Sequence, residues 1–260
     1  MRGFISIFLL VLVFSLLSTD VFAQDDAPDF QRFKIDRSYD SDWGRPAALS
    51  GSAIREARVL KKGILAPSAG DRIAFAEFLR QPNTGLVRLM PREVYDSQTY
   101  HTNSPVSISG GGAYYSFGKL THVYGYGSDI EFSHSWLSVG FAGADYGMIA
   151  MLGDIPLDQV SLNDPRTQYL ANYQPPSSEH LARAENQRFR LRGGVTIDGL
   201  NYQSRQAAFE NWTYLLRSIS YDQSDVLVAL RVVRKDGNGS MIIAWKLLRQ
   251  YHAPVLRRGK

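Results

Sequence analysis

Three features of the sequence predict an α+β fold made mostly of antiparallel β-sheet: a bent or barrel-like wall, a C-terminal meander and a few short helices. The first is the C-terminal third. Trp212 to Tyr221, Val226 to Lys235 and Met241 to Gln250 are apolar-rich runs of strand length, and Asp236-Gly-Asn-Gly239 joins the last two with a hairpin turn sequence. The second is Ile108 to Gly153, where short apolar alternations are broken by glycine, as in a strongly bent sheet. The third is the scarcity of helical spacing, which is confined to short segments.

The amino terminus reads as an export signal. Arg2 precedes an apolar run from Phe4 to Leu17, and Val21-Phe22-Ala23 places small residues where cleavage after Ala23 is expected. The run is short for a spanning helix, Asp20 follows it, and no later stretch is long and apolar enough to cross a membrane once the signal is removed. The expected location is therefore secreted or periplasmic. The chain has 0 Cys, which removes disulfides, thiol nucleophiles and cysteine-based metal sites together. The expected organisation is a signal peptide at 1–23, a mobile polar leader at 24–50 and a single α+β domain at 51–260. Any internal boundary should fall at the proline-rich connector 154–178, where the charge balance also changes. From 24 to 178 there are 14 Lys and Arg against 17 Asp and Glu; from 179 to 260 there are 14 against 7. Such asymmetry suits either an anionic partner or a plain arginine-rich outer face.

Taken in order, Ser52 to Lys62 is compatible with helix or strand. Asp71 to Arg80 has Ser68 or Gly70 as a cap, and Ile73, Ala76 and Leu79 at helical spacing. Leu86 to Met90 is a strand stopped by Pro91. Val106 to Ser109, Ala113 to Phe117, Leu120 to Tyr124, Asp129 to Phe132, Trp136 to Phe141 and Tyr146 to Leu152 read as further short strands. Ser178 caps a short helix to Glu185. Arg188 to Ile197 alternates Phe189, Leu191, Val195 and Ile197 with Arg188, Arg190 and Arg192, the pattern of a half-buried strand. In the last meander strand Ile242, Ala244 and Leu248 lie opposite Met241, Ile243, Trp245 and Leu247, so this strand should be central and covered on both faces.

Four constellations could carry chemistry. Asp129 and Glu131, two apart, share a strand face, and His134 follows; these three are the candidate catalytic residues. With His122 they could form a metal site, but the tight spacing of known sites is missing, so no metal or cofactor is expected. A carboxylate pair for glycoside hydrolysis could be drawn from Asp129, Glu131, Asp145 and Asp154. A Ser-His-Asp set around Ser133 or Ser135 matches in composition only. Ligand stacking could use Tyr114, Tyr115, Tyr124, Tyr126, Trp136 and Tyr146, and Arg188, Arg190 and Arg192, joined by Arg217 and Arg231, could bind anions. Gly110-Gly-Gly112 leads into a strand, not a helix, which excludes a phosphate loop. Asp40-Ser-Asp42 lacks the later ligands of a calcium loop.

No strong catalytic motif is present. The expectation is an exported, non-enzymatic binding or interaction protein of the cell envelope or exterior, its ligand a glycan or anionic polymer and not nucleic acid. The alternative is a hydrolase of envelope or extracellular polysaccharide acting through Asp129 or Glu131 with His134.

Overall fold

A computed structural model of the protein describes residues 65–93, 112–124, 127–141 and 144–257. The signal segment, the leader, Ser52 to Lys62, Val106 to Ser109 and Tyr126 lie outside the described residues.

The C-terminal meander supplies the inner strands of a five-stranded sheet. Strands β9 (Thr213–Ser220), β10 (Ser224–Lys235) and β11 (Met241–Tyr251) pair antiparallel. β1 (Thr84–Leu89) adds to β11, and β5 (Tyr146–Gly153) adds to β9. The order is β1-β11-β10-β9-β5. The expected hairpin is present: Lys235 faces Met241, and the Asp236 N–H donates to the Ser240 carbonyl at 2.8 Å.

Alternation then sends side chains to both faces, and both are buried. On one face Tyr214, Leu216, Val226, Val228, Leu230, Val232, Ile243 and Trp245 meet a second antiparallel sheet. That sheet has the order β2-β3-β4-β8, from β2 (Tyr114–Tyr115), β3 (Ile130–Ser133), β4 (Trp136–Ser138) and β8 (Arg205–Ala207). Its inward residues include Tyr115, Ile130, Phe132 and Leu137. On the opposite face Tyr146, Met148, Leu215, Leu227, Ala229 and Ala244 pack under the connector and the helices. Each fully buried Leu, Ile or Val contributes roughly 1.5–3 kcal/mol, so a sheet covered twice carries most of the stability. Neither sheet closes into a barrel among the described residues.

The helical elements differ from expectation in length. The helix at Asp71 is only α1 (Ala69–Ala74), followed by a 3₁₀ turn at Phe78–Arg80. Ser68 caps it through a reciprocal capping box with Asp71, while Ile73 faces solvent. Leu120 to Tyr124 is not a strand; only Thr121 bridges, to Ser116. In the connector, 3₁₀ turns at Leu157–Gln159 and Pro165–Thr167 lead to α2 (Gln168–Asn172), and Leu157, Val160, Leu170 and Ala171 enter the helix-side core.

The largest correction concerns the arginine strand. Helix α3 spans Glu179–Leu191, so Arg188 and Arg190 sit in its last turn and Arg192 is its C-cap. Cations there oppose the negative end of the helix dipole. The helix buries Ala182 and Phe189. Glu179 and Arg183 pair along it at 2.7 Å. It stops because Gly193 and Gly194 adopt φ of +75° and +76°, and the Gly194 N–H returns to the Arg188 carbonyl at 3.1 Å. Only Val195–Ile197 of the expected strand exists, as β6, hairpinned to β7 (Leu200–Tyr202) through Asp198-Gly199.

Candidate functional site

The outer face of the four-stranded sheet gathers five of the candidate residues: Tyr114, Tyr124, Glu131, His134 and Trp136. With Ile130, Phe132 and Leu137 turned into the core, their neighbours must point outward. The register forms two rows across the strands: Tyr114–Glu131–Ser138–Arg205 and Ser133–Trp136–Ala207.

At the β2 end the row is closed and satisfied. Glu131 Oε1 accepts from the Tyr114 hydroxyl at 2.6 Å and from Arg92 Nη1 at 3.0 Å. Burial, followed by the Glu131 charge, pushes the Tyr114 hydroxyl far above its ordinary range. Tyr124 and Phe141 meet the Tyr114 ring edge-on at 5.0 and 5.5 Å.

At the β8 end the face is open. Trp136 is 38% exposed and the Arg205 guanidinium lies over its ring at 5.1 Å. Beyond Ala207 the same alternation presents Phe209, 46% exposed, with Trp212 against it at 4.9 Å. Gln206 and Ala208 are buried between them, which fixes the outward direction of Arg205, Ala207 and Phe209. The sequence reading missed Arg205 and Phe209; the signal was the alternation of Arg205, Ala207 and Phe209 in a strand too short to stand out.

The hairpin between β3 and β4 turns at His134 and Ser135, both with positive φ. Glu93 accepts from the His134 N–H at 3.0 Å, and the Ser133 hydroxyl meets His134 Nδ1 at 2.8 Å. Glu93 also approaches Nδ1, at 3.8 Å. A hydrolytic triad needs the acid on one ring nitrogen and the nucleophile on the other. Here both face the same nitrogen, and the His134 side chain is 77% exposed.

The remaining candidates lie elsewhere. Asp129 precedes β3 and turns inward. Its Oδ2 accepts from the Phe117 N–H at 2.7 Å and the Ser116 hydroxyl at 3.1 Å, while Oδ1 has no partner of ordinary geometry among the described residues. Burial raises its pKa against the pull of hydrogen bonds from Ser218 on β9, Phe117, Ser116 and Gly118. Tyr115 is a core residue, its hydroxyl pushed to about 12 chiefly by burial. Tyr146 is buried under the helices, stacked on Phe189 at 6.1 Å and sharing a 2.7 Å hydrogen bond with the Tyr173 hydroxyl.

The four carboxylates considered for glycoside hydrolysis occupy four settings and share no hydrogen-bond partner. Asp129 lies between the sheets and Glu131 on the outer face. Asp145 is buried on the helix side, accepting from the Tyr221 N–H at 2.8 Å. Asp154 pairs with Arg231 at 2.6 Å on the surface. His122 Nε2 meets the Arg88 carbonyl at 2.8 Å. Among the described residues no three His, Asp or Glu side chains form a group able to hold a metal ion.

The arginines do not form one face. Arg188 and Arg190, two apart in the last turn of α3, lie on different sides of the helix, and Arg192 follows as its C-cap. Arg231 serves Asp154 and the Ile155 carbonyl. Arg217 is fully buried. It forms two hydrogen bonds to Asp225 at 2.9 and 2.8 Å, donates to the Leu170 and Tyr173 carbonyls, and lies 3.9 Å from the Tyr251 ring centroid. It ties the connector to the main sheet and is spent on that task.

Comparison with known protein families, curated proteins and solved structures finds no match to this chain.

Proposed function

We propose that this chain is an exported, non-enzymatic binding protein of the cell envelope or exterior, secreted or periplasmic, which takes a glycan or anionic polymer on the outer face of the four-stranded sheet. One observation carries the reading. Trp136 and Arg205 stand in contact, both exposed, with Phe209 exposed two residues beyond Ala207, on a sheet face whose opposite side is locked into the core. Exposed aromatic side chains grouped beside a cation are the chemistry of an interaction surface, and rigid strands hold Trp136 and Arg205 in a fixed arrangement. Export rests on the signal-like sequence at 1–23.

The alternative, polysaccharide hydrolysis through Asp129 or Glu131 with His134, draws no support from this arrangement. Those three residues bond different groups and lie at different depths.

The test is a binding screen of the full chain against neutral and acidic polysaccharides, an acidic polypeptide and phospholipid vesicles, with Trp136→Ala and Phe209→Ala in parallel. The reading expects one class to bind and both variants to weaken it at unchanged melting temperature. Binding that ignores both substitutions would place the ligand elsewhere.

A further inference from the structure

We infer that the ligand of this face is a carboxylated polysaccharide, its acid group held by Arg205 while a sugar ring lies against Trp136 and Phe209. This rests on the binding reading above and narrows it to one chemistry.

The carboxylates around the open end of the face already have partners. Three acids lie close to it in the sheet or the chain, and each is committed. Glu131 is held by Tyr114 and Arg92. Glu93 accepts the His134 N–H with both oxygens. Glu210, next to Phe209, accepts the Lys235 N–H at 3.0 Å. Among the described residues Arg205 has no carboxylate partner; its neighbour is the Trp136 indole. A guanidinium laid on an aromatic ring keeps its N–H edge free and fixed in direction, the geometry that takes a carboxylate through two parallel hydrogen bonds.

The rest of the patch specifies what carries that carboxylate. Ser138 lies beside Arg205 in the pairing register, half-buried, and offers a hydroxyl. Trp136 and Phe209 offer exposed rings, Phe209 backed by Trp212, which packs against the core. A ligand matching all three must join an acid, hydroxyls and an apolar C–H face within a few ångströms. A uronate ring has these together. An acidic peptide places its carboxylates on flexible stems, and a neutral sugar leaves the Arg205 edge unmatched.

The experiment is calorimetric titration of the full chain with polygalacturonate oligomers. Their methyl esters, which keep the ring and lose the charge, form the second arm; dextran sulfate and polyglutamate form the third and fourth. The chain is compared with Arg205→Gln, Arg205→Lys and Trp136→Ala, melting temperatures confirming that each remains folded. Losing a charge-assisted pair costs about ten-fold or more in affinity. The inference therefore expects polygalacturonate to bind, and esterification and Arg205→Gln each to weaken it by about ten-fold. Arg205→Lys should recover only part, since an ammonium cannot offer the planar fork. Equal affinity for acid and ester, or indifference to Arg205→Gln, overturns the carboxylate inference. If Trp136→Ala still weakens binding in that case, the binding face itself stands. Equal binding of dextran sulfate or polyglutamate also overturns it, in favour of unselective anion binding. If no polymer shows binding that depends on Trp136, the inference and the binding-face reading both fall.

Discussion

Asp145 should make this protein lose stability as pH rises from about 4 towards 7. The residue begins the approach to β5 and is buried, 6% exposed, beneath the helix-side layer. Its Oδ1 accepts one hydrogen bond, from the Tyr221 N–H, and its carbonyl accepts from Asn186 on α3. Burial, aided by the nearby Asp222 charge and opposed by the Tyr221 hydrogen bond, raises its pKa from 3.8 to about 7. The folded chain then keeps a proton that the unfolded chain releases above pH 4. Below the ordinary value both states are protonated and pH has no effect through this group. Between the two values each pH unit removes about 1.4 kcal/mol, and above the folded value the loss levels off, for a total of about 4 kcal/mol. Asp145→Asn keeps an acceptor for the Tyr221 N–H and cannot ionise. Urea denaturation of both proteins at half-unit steps from pH 4.5 to 8.5 is the assay. The difference between their unfolding free energies should change by several kcal/mol, the wild type falling more steeply. Subtracting the variant isolates Asp145 from Asp129, whose burial acts in the same direction. Parallel curves would mean that Asp145 does not hold its proton in the folded chain.

Three further outcomes follow from particular contacts. Arg217→Met leaves Asp225 buried without its cation and two carbonyls without a donor, and should cost about 3–5 kcal/mol by chemical denaturation; adding Asp225→Leu should return part of that loss. Gly194→Ala introduces a Cβ 2.0 Å from the Tyr202 carbonyl oxygen at φ +76°, and should lower the melting temperature by several degrees through the α3–β6 junction. Asp71 is held at a pKa of about 2, first by the Arg234 hydrogen bonds. Its depressed value stabilises the fold above the ordinary pKa and is lost as pH falls towards 2, so Asp71→Asn should cost about 2 kcal/mol at pH 7 and little at pH 2.

The parts of this fold legible in sequence are those where one element carries its own evidence. The β10–β11 hairpin combines long alternation with a turn sequence, and Ser178 followed by Glu179 marks a helix start. The length of α3 was hidden because its buried face is made by two residues, Ala182 and Phe189, seven positions apart. The alternation Phe189, Leu191, Val195 and Ile197 that suggested a strand belongs to two elements separated by the Gly193-Gly194 stop. Strands of two to four residues, such as β2 and β4, are too short to show a period, yet they build the candidate site. Of that site, Trp136 and Glu131 could be named from sequence. Arg205 could not, because its meaning depends on β8 pairing with β4 across some seventy residues of chain. The environments of Asp129 and Arg217 are likewise set by other elements; a lone arginine inside the apolar run Tyr214 to Ile219 was the visible trace of the buried pair.

Binding is proposed on the outer face of the four-stranded sheet. Hydrogen–deuterium exchange of the full chain with and without the polysaccharide that binds in the screen tests it most directly. Added protection is expected across residues 133–138 and 204–210, with α3 unchanged. Protection confined to α3 and its arginines, with β4 and β8 unaffected, would contradict it.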